Sequence, residues 1–68
     1  MNKRILILNG FINKGGLIGR AAQLYANDEK LGAQFLLELK EQLKTNKIRM
    51  VEIWGKELVT ELEHFSVN

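Results

Sequence analysis

Lys3-Arg4-Ile5-Leu6-Ile7-Leu8-Asn9-Gly10 opens the chain, and how it is read decides the fold. Four consecutive apolar residues, two of them β-branched, stop at an Asn-Gly pair. A short apolar run bounded by turn residues reads as a strand buried on both faces. Asn9 to Gly16 then reads as a loop, whose glycines and asparagines make positive φ angles available.

From Leu17 the period changes. Ile18, Ala21, Ala22 and Tyr25 fall at i, i+3, i+4 and i+7, with Leu17 and Leu24 flanking them. That predicts a helix ending near Ala26. Asn27-Asp28 offers an N-cap for a second helix over residues 28–45, with Asp28 and Glu29 on its positive dipole end. Leu31, Phe35, Leu36, Leu39 and Leu43 share one stripe of it. Lys40, Lys44 and Lys47 gather toward its C-terminal end, and Thr45-Asn46 supplies the stop.

Ile48-Arg49-Met50-Val51-Glu52-Ile53-Trp54 reads as a second strand, with Arg49, Val51 and Ile53 on one face. Residues 57–67 carry two patterns. With Gly55-Lys56 as a two-residue hairpin turn, Leu58 opposes Ile53 and Thr60 opposes Val51. Alternatively, Leu58, Val59, Leu62 and Phe65 form a helical stripe. Glu61 and Glu63 near that helix's C-terminus oppose its dipole, which favours the hairpin. The expected fold is therefore α+β, one small domain over residues 1–68. Its element order is β-α-α-β-β, with a long amphipathic helix packed on a small sheet and a helix as the alternative last element.

Composition narrows the function. Hydrophobic residues make up 46% of the chain, which is a globular composition. A domain of 68 residues hides only about 60% of the surface its unfolded chain exposes. Small chains usually compensate with disulfides, a metal or a partner. There is no Cys, and His64 is the only His, so the sequence holds neither a disulfide nor the usual ligands of a structural zinc. A partner remains, and a homodimer is the simplest one. No run approaches the ~18 apolar residues of a membrane span. The apolar run Ile5–Leu8 is too short for the core of an export signal. Together with the absence of Cys, this points to a cytoplasmic protein.

Charge is polarised along the chain. Residues 1–27 carry Lys3, Arg4, Lys14 and Arg20 and no acid, while residues 50–68 carry Lys56 against four glutamates. Such a layout attracts an anionic partner at one end or pairs the chain's own ends.

Motifs are sparse. Gly10 and Gly15 have the spacing of the two P-loop glycines, but Gly16 and Leu17 stand where Lys and Ser or Thr belong. KRILILNG with its glycine loop, helix and KIRMVEIW resembles the opening β-α-β unit of flavodoxin-like FMN reductases. Phe11 and Ile12 occupy the places where that family's phosphate-binding hydroxyls would be expected. KGGLIGRAA is similar to the phosphate loop of partition-type ATPases, with one residue too many and Arg20 in place of Lys. Either likeness covers under half of the chain, and no family function is carried over. Gly16-Leu17-Ile18-Gly19, with Lys14 and Arg20, matches the GXXG loop of KH domains superficially. Residues 17–45 could be taken as a helix-turn-helix, but Glu38 and Glu41 suit a groove-inserted helix poorly. His64 has no Cys, and nearby Ser66 is too close to the C-terminus to be a well-held nucleophile.

The expectation is a non-enzymatic protein-binding module, a small regulator or inhibitor acting as a homo-oligomer, without metal or cofactor. Leu37 lies about 120° from Leu31, off the apolar stripe, as a second contact. Trp54 would be the aromatic anchor, with Glu52, Glu57 and Glu61 on the rim. The competing expectation is nucleic-acid or phosphate binding through Lys3, Arg4, Lys14, Gly15, Gly16 and Arg20.

Overall fold

A computed structural model describes residues 2–67. Four helices follow one another: α1 (Lys3–Lys14), α2 (Gly16–Tyr25), α3 (Glu29–Trp54) and α4 (Lys56–Glu63). No strand occurs among the described residues, so the expected α+β sheet is replaced by an all-helical bundle. The β-α-β likeness to FMN reductases falls with it.

The opening run is helical because its apolar pattern does not end at Asn9-Gly10. Ile7, Leu8 and Phe11 fall at i, i+1 and i+4 and are buried together. The Asn2 side chain caps the helix, accepting the Arg4 backbone N–H at 2.9 Å. Gly10 sits inside α1 rather than at a turn. A Cβ there would lie 2.6 Å from Leu58 Cδ1 of α4, so glycine is what lets the two helices touch. The expected eight-residue glycine loop shrinks to a sharp corner. Gly15 and Gly16 take φ values of 78° and 70°, the left-handed region that glycine enters at little cost. The Gly15 N–H donates to the Phe11 and Ile12 carbonyls, closing α1 as α2 begins.

α2 folds back on α1 through Gly19, where a Cβ would lie 3.0 Å from the Phe11 carbonyl oxygen. α3 starts where its cap was expected: the Asp28 carboxylate accepts the Leu31 N–H at 2.8 Å. At Thr45-Asn46 the helix bends instead of stopping, with Asn46 at φ −124° and ψ 20°. It continues because the buried stripe continues. Met50 and half-buried Trp54 follow Leu36, Leu39 and Leu43 on the same face, although Ile48 to Trp54 also suits a strand. After Gly55, α4 turns back along α3. The helical alternative for the last segment is the one realised: Val59, Leu62 and Phe65 are buried and Leu58 is half-buried. The dipole objection is met by cations from neighbouring helices, since Lys3 pairs with Glu61 and Lys47 with Glu63.

The core holds Ile7, Leu8, Phe11, Leu36, Val59 and Leu62, each under 2% exposed. Burying each such side chain stabilises the fold by about 1.5–3 kcal/mol. The Trp54 ring meets Phe11 edge-on, with centroids 5.2 Å apart. No polar or charged residue is buried among the described residues. The backbone radius of gyration, 10.8 Å, is what a compact chain of this length should have, about 11 Å. The accessible surface is nevertheless 4942 Å², against about 4,400 Å² for a compact monomer of this mass. The backbone is tightly folded, and some side chains stand off it.

Candidate functional site

Those side chains concentrate on the corner between α2 and the first half of α3. α2 is amphipathic on both sides of its axis. Its inner side, with Gly19 and Ala22, must be small to approach α1. Its outer side carries Leu17, Ala21 and Leu24 at i, i+4 and i+7. Leu17 is 85% exposed and Leu24 is 78% exposed. Beside them runs a shallow groove of about 340 Å³, lined by Ala21, Tyr25, Leu31, Gln34, Phe35 and Glu38. Its floor is rigid. Tyr25 and Phe35 pack ring against ring at 5.4 Å, and Gly32 brings α3 so close that a Cβ would lie 2.9 Å from the Tyr25 carbonyl. The charges on this corner are Arg20 toward the start of α2, Asp28 and Glu29 at the start of α3, and Glu38 further along.

The residues chosen from the sequence are distributed differently. Trp54, Glu57 and Glu61 do come together, lining one open groove with Gly10, Lys14 and Lys56. Trp54 is half-buried, and part of its ring is engaged by Phe11. Glu61 is paired with Lys3, whose hydrogen bond and charge hold its carboxyl below the ordinary glutamate range. Glu63 is likewise lowered by its 2.9 Å hydrogen bond from Lys47 and by that lysine's charge. Glu52 lies apart, beside the bend in α3. Leu37 is 38% exposed and lines a groove with Lys40, Glu41 and Glu63.

The basic set does not gather into one patch. Lys3 and Lys14 stand at opposite ends of α1, about 16 Å apart along its axis. Arg4 is half-buried and donates to the Ala26 carbonyl at 3.5 Å. Lys14 reaches toward Gly55, and Arg20 is on α2. Gly15 and Gly16 form the α1–α2 corner. Among the described residues no group of three or more His, Cys, Asp or Glu could hold a metal ion. None of the described helices is long and apolar enough to cross a membrane.

Leu17 and Leu24 were passed over in choosing site residues because they merely flanked the apolar face of α2. The signal was their spacing: seven residues apart on one side of a helix, they make a second stripe rather than two stray leucines. No family model, no curated protein and no solved structure matches this chain.

Proposed function

We propose that this chain is a non-enzymatic protein-binding module, a small cytoplasmic regulator or inhibitor, that works as a homo-oligomer. The observation that carries the reading is the outer face of α2, where Leu17 and Leu24 stand almost fully in water on a helix whose other side is fully engaged. Exposed leucines at helical spacing beside a preformed groove are the ingredients of a helix-mediated protein contact. The area supports it too. The excess over a compact monomer, about 500 Å², approaches the ~800 Å² that each partner contributes to an ordinary interface.

The nucleic-acid alternative draws less support. Lys3 is neutralised by Glu61, Arg4 is half-buried, and Lys14 and Arg20 lie on different helices. Light scattering of the full chain from micromolar to millimolar concentration tests the proposal. A mass rising from 7.8 kDa toward twice that value is expected. A mass of 7.8 kDa throughout would remove self-association from the reading.

A further inference from the structure

Resting on that reading, we infer that the surface on which two copies meet is the α2–α3 corner, joined about a two-fold axis passing beside Leu24. Three observations converge on this surface and on a second copy as its occupant.

The first is shape. The corner carries both a projection, Leu17, and a groove lined by Tyr25, Leu31 and Phe35. An axis at Leu24 relates residues whose numbers sum to 48. It therefore sets Leu17 of one copy against Leu31 of the other, at the mouth of that groove, and leaves Leu24 facing its own counterpart. A two-fold contact needs such self-complementarity, because each copy must supply the same patch.

The second is charge. The same register sets Arg20 of each copy against Asp28 of the other, so both ends of the contact carry a basic–acidic pair. The third is the failure of the rival patch. Ile48, 82% exposed, also projects from the molecule, but Lys44, Lys47 and Arg49 surround it at the bend of α3. Two copies meeting there would bring like charges together. The corner is apolar at its centre and of opposite sign at its two ends.

Single-cysteine variants test this directly, since the chain has no cysteine of its own. Under mild diamide oxidation of the full chain, Leu24→Cys should form a covalent dimer on a non-reducing gel. Ile48→Cys should remain monomeric under the same treatment. Arg20→Glu should raise the dissociation constant about tenfold, by placing an acid against Asp28. Both leucine and arginine positions are exposed, and circular dichroism matching the wild type establishes that each variant is folded. A wild type that light scattering shows to be dimeric, with Ile48→Cys cross-linking and Leu24→Cys not, would overturn the surface and leave self-association standing. An unchanged dissociation constant in Arg20→Glu would overturn the register. A wild type that stays monomeric at every concentration would overturn both this inference and the self-association it rests on.

Discussion

The seam between α1 and α4 and the corner between α2 and α3 are made of much the same residue types, yet they treat water in opposite ways. On the seam, Leu8, Phe11, Val59 and Leu62 are nearly inaccessible, and Gly10 exists to let Leu58 in. On the corner, glycines are again used for close approach, at Gly19 and Gly32, but the leucines face outward. In a chain this short the inner face of each helix is enough to close the bundle, and α2 keeps a second apolar face in reserve. The seam makes the fold, and the corner gives it something to do.

Breaking the seam should have the largest effect. Phe11→Ala removes a ring that packs against Trp54 and leaves a cavity, and should cost about 3–5 kcal/mol in urea unfolding. That is comparable to the whole stability of many small domains. Closing the corner's joint comes next. Gly32→Ala sets a Cβ against the Tyr25 carbonyl and should cost about 1–3 kcal/mol while prising α2 from α3. Asp28→Ala removes the cap of α3 and should cost about 1 kcal/mol. Leu24→Ser sharpens the comparison from the other side. At low concentration, where the chain is monomeric, it should shift unfolding by less than about 0.5 kcal/mol, because nothing packs on Leu24.

The smallest effect is electrostatic. Glu61 and Glu63 have lowered pKa values in the folded chain, so the stability they contribute is present above the ordinary glutamate range. It is lost as pH falls through their lowered values. Melting midpoints should therefore decline slightly from neutral to acid pH, and a Glu61→Gln, Glu63→Gln double variant should flatten that decline. Both pairs are exposed, so salt should flatten it as well.

How much of this was legible beforehand depends on window length. The α2 and α3 stripes and the Asp28 cap were readable, because a dozen or more residues distinguish a period of 3.6 from a period of 2. Ile5–Leu8 and Ile48–Trp54 were not. Seven residues or fewer, rich in β-branched side chains, suit a buried helix as well as a strand, and only packing decides between them. Met50 and Trp54 continue the spacing of Leu36, Leu39 and Leu43, but that continuity is hidden once Thr45-Asn46 is taken as a stop. Gly10 misled for a related reason: a glycine needed for close helix packing looks the same in a sequence as one needed for a turn. In α4 the helical stripe was visible, and the acidic end argued against it. Lys3 and Lys47, distant in sequence, supply the compensation that local reading lacks. The corner surface was half legible: Leu17 and Leu24 were seen, but which face of α2 would be covered depends on Gly19 meeting α1.

The division of labour between seam and corner is tested most directly by the thermal midpoint measured as a function of protein concentration, for the wild type and Leu24→Glu side by side. A partner that binds only the folded chain raises the midpoint by mass action. The wild-type midpoint should climb with concentration, while that of Leu24→Glu stays level at the wild type's dilute-limit value. A wild-type midpoint independent of concentration, or a Leu24→Glu midpoint that climbs in parallel, would contradict it.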